Sequence, residues 1–294
     1  MTNATLPISS IHDRPDAKDG RSFEFLFESL LRPGNWAATL AYSFGLQGRL
    51  RTSVTTIQTA QPKAGRPPLR IAFASDFHAG GMTDQRLLVQ ACELLADMEP
   101  DLLLLGGDYV TVRGADIHRL APLLAEIPAP LGKFAVLGNH DLHANYSIIV
   151  SELERAGVCV LSNERAELPA PFADVSICGL DDPTHGEPRG DLAIDGATGM
   201  RIVLMHSPDG LEAVADRAYD LALCGHTHGG QIRLPGGPAM IVPGGRLNRR
   251  YCGGNYEMPC ENGSRVLIVS HGVGCSGVPV RAFTPPEVHL CLVS

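Results

Sequence analysis

Residues 225–230 read Gly-His-Thr-His-Gly-Gly and close the apolar run Leu-Ala-Leu-Cys. A strand entering a turn has use for glycine but none for two imidazoles one residue apart, so the pair asks for chemistry. The same event recurs along the chain. The run LRIAFA ends in Ser75-Asp76-Phe77-His78, DLLLLGG in Asp108, KFAVLG in Asn139-His140-Asp141, and RIVLM in His206. Taken singly, each has a structural explanation: Asp108 as a turn residue, Asn139 as a left-handed residue, His206 as a satisfied core histidine. Jointly, Asp76, His78, Asp108, Asn139, His206, His226 and His228 all leave apolar strands, where unpaired polar groups are costly to bury. A shared metal cluster satisfies all of them.

The donor types narrow the metal. With no thiolate among them, a structural zinc site of the cysteine type is disfavoured. Carboxylate, amide oxygen and imidazole suit borderline-hard divalent ions such as Mn²⁺, Fe²⁺ or Zn²⁺. Seven candidates exceed one tetrahedral ion and suit two ions sharing a bridge, for which Asp108 is central. Two ions about 3.5–4 Å apart clamp a phosphoryl group and lower the pKa of a bridging water. That is hydrolytic chemistry on phosphate esters.

The elements that must position these residues follow from periodicity. Apolar runs predict strands at 52–58, LRIAFA, DLLLLGG, KFAVLG, VCVL, DVSICGL, RIVLMH, DLALCG, RVLIVS and EVHLCLV. Helical spacing covers TDQRLLVQACELLADM behind a Thr83 N-cap, then 116–127, Ser147 to Ala156 closed by Gly157, and 209–218. Residues 229–263 are rich in Gly and Pro and predict a long ordered loop or hairpin near the site. Strand and helix alternate in the first half, and strands dominate the second. The fold class is α/β, with two sheets packed as a sandwich between helices. Ligands gather outside the carboxyl ends of strands in such sheets, which is where the polar residues fall.

The 294-residue chain divides into an N-terminal extension, 1–65, and a domain, 66–294. The extension holds a polar tail, the apolar segment FEFLFESLL at 23–31 and a strand. That segment reads as a helix packing on the domain, with docking on a membrane surface as the sharper alternative opposed by Glu24 and Glu28. No run reaches the ~18 apolar residues of a spanning helix, and the N-terminus lacks the basic and apolar regions of a signal peptide. A net charge of −8 excludes a generic binder of polyanions, so no nucleic-acid partner is expected. Eight scattered cysteines without a CxxC pair read as buried thiols in a reducing, cytoplasmic setting; only Cys252 and Cys260 lie where they could pair.

The motifs DFH (76–78), GGD (106–108), GNHD (138–141), MH (205–206) and GHTH (225–228), in this order, resemble the calcineurin-like metallophosphoesterase superfamily. The likeness spans about residues 69–294 and implies two mixed sheets in an αββα sandwich. It implies that Asp76, His78 and His228 hold a first divalent metal ion, that Asn139, His206 and His226 hold a second, and that Asp108 bridges them. In that pattern a metal-bridging hydroxide attacks phosphorus, His140 donates towards the leaving-group oxygen, and Asp141 orients the His140 imidazole. Phe77 departs from the usual smaller residue, but in an extended segment it points away from its neighbours. Across Thr227, extended geometry likewise points His226 and His228 towards adjacent ions, with the glycines leaving room for ions and phosphate.

LMHSPDG (204–210), GHTHGGQI (225–232) and the tail from Ser270 resemble the bacterial branch with small phosphodiesterases and UDP-2,3-diacylglucosamine pyrophosphate hydrolases of lipid A synthesis. That implies a phosphodiester or pyrophosphate substrate, small and phosphorylated or phospholipid-like, with contact at the inner membrane surface through 23–31 as an option. A non-catalytic scaffold and a nuclease are the rival readings. Arg246, Arg249 and Arg250 form the one dense basic cluster and, with His271 after a strand, are candidate substrate contacts. Arg281 matches a family position without an assigned role. His12, His118, His143, His185 and His289 have no metal spacing and are assigned to surface or core.

Overall fold

The computed structural model describes residues 35–58, 65–260 and 263–294. The apolar segment 23–31 lies outside them. A helix, α1 (Trp36–Ser43), precedes strand β1 (Arg51–Ile57). The domain then runs β2 (Leu69–Ala74), α2 (Gln85–Asp97), β3 (Leu102–Leu105), a 3-10 turn (Gly114–Arg119), α3 (Ala121–Ala125) and β4 (Lys133–Ala135). It continues through α4 (Asn139–His143), α5 (Tyr146–Arg155), β5 (Val158–Val160), β6 (Glu164–Glu167), β7 (Val175–Gly179), α6 (Gly190–Ile194) and β8 (Met200–Leu204). A 3-10 turn (Pro208–Val214), β9 (Leu221–Cys224), α7 (Arg246–Arg250), β10 (Gly254–Cys260), β11 (Gly263–Val269) and β12 (Glu287–Val293) complete it.

Two six-stranded mixed sheets result, ordered β1-β12-β2-β3-β4-β5 and β10-β11-β9-β8-β7-β6. In the first, β2 to β5 are parallel and β12 is antiparallel to β2; in the second, β7, β8, β9 and β11 are parallel, with β6 and β10 antiparallel at the edges. Strand β1 is an edge strand of the first sheet, parallel to β12.

Alternation along the central strands builds the layers. Ile71, Phe73, Leu102, Leu104, Ile202, Leu204, Leu221 and Leu223 meet in one cluster between the sheets. Their neighbours Ala72, Ala74, Leu103 and Leu105 face outward to Leu87, Leu88, Leu95, Ile149 and Leu153 of α2 and α5. On the other outer face Val203, Ala222 and Cys224 meet Ile194, Leu211, Val214 and Leu247. Strands covered on both sides need unbroken apolar runs, and Leu102–Leu105 is a run of four leucines, all buried. The architecture is the expected αββα sandwich.

Several boundaries differ from the pattern reading. The cap of α2 is Asp84, which accepts from the Arg86 N–H at 2.9 Å, while the Thr83 hydroxyl accepts from the Cys275 N–H at 3.0 Å. The helix expected over 116–127 splits into a 3-10 turn and a short helix with Pro122 in its first turn, because proline cannot continue a helix interior. The helix expected over 209–218 is the 3-10 turn Pro208–Val214. The Gly- and Pro-rich region contains α7 and the strand β10 that forms a hairpin with β11. No helix among the described residues is long and apolar enough to cross a membrane.

Candidate metal centre

Strands β2, β3 and β4 are neighbours in one sheet, and β8 and β9 are neighbours in the other. Their carboxyl ends release Asp76 and His78, Asp108, Asn139, His206, and His226 and His228 into one space. The turns that do this are tight. Asp76, His78, Asp108, His226 and His228 have φ of 53°, 45°, 55°, 67° and 51°. Left-handed backbone costs a non-glycine residue on the order of 1–3 kcal/mol and gathers at functional sites. Adjacent loops hold it in place: Asp76 N–H donates to the Gly107 carbonyl at 2.8 Å, His78 N–H to Asp108 at 3.0 Å, and Gly225 N–H to His206 at 2.8 Å.

The extended geometry expected for 76–78 and 226–228 is therefore corrected. Each pair of ligand candidates flanks a residue between two left-handed turns, with Thr227 itself in the right-handed region. Phe77 is driven into the core beneath, where its ring stacks on Tyr109 with centroids 6.3 Å apart.

Two triads of donors converge, Asp76–His78–His228 and Asp108–His206–His226, and His78 and Asp108 form a third with His140. In the first, His78 Nε2 lies 3.1 Å from His228 Nε2, which is 3.5 Å from Asp76 Oδ1. In the second, His206 Nε2 lies 3.1 Å from His226 Nδ1 and 3.1 Å from Asn139 Oδ1. One oxygen serves both: Asp108 Oδ2 is 3.5 Å from His78 Nε2 and 3.2 Å from His206 Nε2. Asp108 Oδ1 accepts from the His140 N–H at 2.9 Å.

The electrostatics suit cation ligands. Burial pushes His78 and His226 down to about 3 and His228 well below the usual histidine range, so their rings are neutral with lone pairs to offer. Burial pushes Asp76 up to about 6. Burial also raises Asp108, but the rings of His206 and His140 outweigh it and hold that carboxyl well below its ordinary range. Burial opposes charge on His206, yet the Asp108 carboxylate holds it well above. Buried acids and imidazoles whose inward atoms face one another, most of the rings neutral, fit a divalent metal centre. His206 Nδ1 lies 2.8 Å from the Gly106 carbonyl, which fixes one ring proton there and leaves the Nε2 proton, facing Asp108, as the one a cation would displace.

Close packing depends on two glycines. A Cβ on Gly225 would stand 2.0 Å from Asp76 Oδ2, and one on Gly138 would stand 2.1 Å from Asp108 Oδ1. The glycines of 225–230 were expected to leave room for ions and phosphate; instead Gly225 makes room for the Asp76 carboxylate, Gly229 for the His271 ring and Gly230 for Ala239. Ser75 Oγ adds a 2.5 Å hydrogen bond to Asp76 Oδ2, and the His226 N–H donates to the same carboxylate at 3.1 Å.

The role expected of Asp141 is different in the fold. Its carboxylate accepts from the N–H groups of Asp108 (2.7 Å), Tyr109 (2.8 Å), Gly138 (2.9 Å) and Val110 (3.3 Å), stapling two ligand loops together. Burial, with the Asp108 charge, pushes it up to about 7. The His140 imidazole is oriented by the Thr111 carbonyl, 2.8 Å from Nδ1, and packs edge-on to His78 with centroids 4.8 Å apart. Thr111 had no signal in the sequence. Asp182 had one, since it follows β7 just as the other candidates follow their strands. It is fully buried beside His206; Oδ1 accepts from the Thr184 and His185 N–H groups, and Oδ2 has no hydrogen-bond partner among the described residues.

A cavity of about 370 Å³ opens over the cluster, lined by Asp108, Asn139, His140, His226 and His228 at one side. Arg246, Arg249, Arg250 and His271 are not among its lining residues. Arg246 pairs with Glu212 at 3.3 Å, Arg249 is exposed, and Arg250 lies over the Tyr251 ring at 5.2 Å. His271 Nδ1 lies 3.6 Å from Glu287 Oε2. Behind it the buried Arg281 reaches His228 Nδ1 at 3.2 Å and donates to the carbonyls of His271, Gly272 and Gly274, which explains a side chain that carried no role in the sequence. Cys252 carries a free thiol.

Residues 69–230 match the family model described as calcineurin-like phosphoesterase. Phosphodiesterase YaeI of Escherichia coli (strain K12) is 33% identical over 235 residues, covering 77% of this chain and 82% of that protein. The uncharacterized metallophosphoesterase YkuE of Bacillus subtilis (strain 168) is 32% identical over 247 residues, covering 81% and 84%. An uncharacterized metallophosphoesterase of Aquifex aeolicus (strain VF5) is 30% identical over 249 residues, covering 81% and 90%.

Proposed function

Because this chain belongs to the calcineurin-like phosphoesterase family, and is thus a metal-dependent hydrolase of phosphoric esters, we propose that it cleaves phosphodiesters or pyrophosphates at a dinuclear centre. Asp76, His78 and His228 would hold one ion, Asn139, His206 and His226 the other, with Asp108 serving both groups. The observation that carries this reading is the single Asp108 oxygen within 3.5 Å of both His78 and His206. Bound there, two divalent ions supply Lewis-acid polarisation of the phosphoryl oxygens and an acidified water.

The chain's own groups do the rest. His140 stands half-buried on the cavity wall, fixed by Thr111, where it donates a hydrogen bond or proton to the departing ester oxygen. Asp141 keeps the Asp108 and Gly138 loops in register, so the bridging carboxylate and His140 keep their separation. The preference for diesters is supported by the phosphodiesterase name of a relative. The pyrophosphate of UDP-2,3-diacylglucosamine is the alternative, told apart by release of UMP.

Purified protein loaded with Mn²⁺ binds two ions by elemental analysis and turns over bis(p-nitrophenyl) phosphate. His140→Ala keeps both ions and loses turnover by about 10²–10⁴-fold. A near-normal rate in that variant would remove His140 from the reaction, and one ion per chain would remove the dinuclear assignment.

A further inference from the structure

The cavity has a second face that the metal chemistry leaves unused. Besides the candidate ligands, its lining includes Ile232, Ile241, Pro243 and Val278. Ile241 is 71% exposed and Val278 37%, beside Met240 and Phe283, which are more than half exposed. Large apolar side chains standing open at the mouth of a polar site mark a binding surface.

This wall is built, not loose. The hairpin after His228 and the loop after Cys275 are tied by the buried side chain of Gln231. Its Nε2 lies within hydrogen-bond distance of the carbonyls of Ser276 (2.9 Å), Val278 (3.0 Å) and Val280 (3.1 Å), and its Oε1 accepts from the Ser276 N–H at 2.8 Å. Backbone bonds add to it: Arg233 N–H to the Ala282 carbonyl at 2.9 Å, and Ala282 N–H to Gln231 at 3.0 Å. Gln231 itself holds a left-handed φ of 44°. A strained, buried amide three residues from His228 thus fixes apolar walls against the metal centre, and a surface fixed before binding loses less entropy when it is covered.

We propose that this wall is a subsite for an apolar arm of the phosphoester, so that the enzyme selects substrates in which one substituent on phosphorus is a hydrocarbon chain. The cavity is larger than a phosphoryl group fills, its polar end matches the charged head, and its apolar end would bury the chain beside Ile232, Ile241, Pro243 and Val278. Ile241 and Val278 are the specificity-determining residues. The inference rests on the phosphoester reading above and adds the nature of one substituent to it.

The test is calorimetric binding of methylphosphonate and hexylphosphonate to the Mn²⁺-loaded protein, below the concentration at which hexylphosphonate self-associates. Hexylphosphonate binds at least ~10-fold more tightly, as partial burial of its extra methylenes requires. In the Ile241→Ser/Val278→Ser double variant, whose changes are on exposed side chains, that ratio falls towards one. Equal affinity for the two phosphonates in the wild type, or an undiminished ratio in the double variant, overturns the subsite while leaving the phosphoester reading intact. Failure of both phosphonates to bind overturns the two together.

Discussion

The two ends of the same parallel strands are built to opposite rules. Before β3, Asp101 accepts the Arg70 N–H of neighbouring β2 at 2.9 Å; before β9, Asp220 accepts the Arg201 N–H of neighbouring β8 at 2.8 Å. These half-buried carboxylates meet backbone donors across the sheet edge and finish the ladder. At the carboxyl ends the polar side chains of Asp76, His78, Asp108, His206, His226 and His228 are buried and face one another, all but His206 on left-handed turns. One end satisfies its polar groups and keeps relaxed geometry at Asp101 and Asp220. The other carries backbone strain, and a mutual repulsion of carboxylates that a cation would relieve. Polar residues flanking a strand therefore serve stability or chemistry according to whether their side chains meet backbone donors alone or one another as well.

Four substitutions would break or sharpen that contrast. The largest effect belongs to Asp108→Ala, which removes the oxygen shared by both triads. Fewer than one ion per chain and a fall in turnover of at least ~10³-fold are expected, with circular dichroism showing an intact fold. Full metal occupancy in this variant would show that the carboxyl-end cluster does not depend on its centre.

Next is Gly225→Ala, whose Cβ would collide with Asp76 Oδ2. Displacing that carboxylate should weaken metal affinity by about 10–100-fold, as loss of ligand support does, measured by competition with a chelator. Unchanged affinity would mean that Asp76 is not held by this packing. Asp141→Ala leaves four backbone N–H groups without their acceptor and should destabilise the metal-free protein by about 3 kcal/mol in chemical denaturation. A loss below about 1 kcal/mol would imply that water replaces the carboxylate.

The smallest effect is at the opposite end. Asp220→Ala removes a capping acceptor and should cost about 1 kcal/mol of stability, with metal content and turnover unchanged. If instead Asp220→Ala lost its metal, the division of labour between the strand ends would fail.

Much of this was legible from the chain alone. Buried parallel strands require continuous apolar runs, so LRIAFA, DLLLL, RIVLM and LALC announced themselves, and the polar residues that stop each run were conspicuous because nothing in a sheet core needs them. Residue types also indicated the chemistry, since neutral imidazoles, carboxylates and an amide without thiolates suit a hard or borderline ion. What stayed hidden was direction. Asp141 and Asp108 both follow glycine-containing strand ends, yet one points at backbone donors and the other into the cluster. Asp182 obeyed the strand-end rule but stood in the run Asp-Asp-Pro-Thr-His, which matches none of the motifs. Arg281 and Gln231 act on segments adjacent to the ligand loops, which no local pattern reveals. The apolar wall of Ile241 and Val278 comes from two loops 37 positions apart in number, joined by hydrogen bonds to one amide.

The sequence by itself determined the strands, their order of delivery and the donor set, because these depend on local periodicity and on what each side chain can coordinate. Tertiary structure decided how closely those donors approach one another and which Asp108 oxygen stands between the two groups. It also decided that five ligand positions are held in left-handed turns, as φ at Asp76 or His228 is set by bonds from neighbouring loops and not by the residue's own preference.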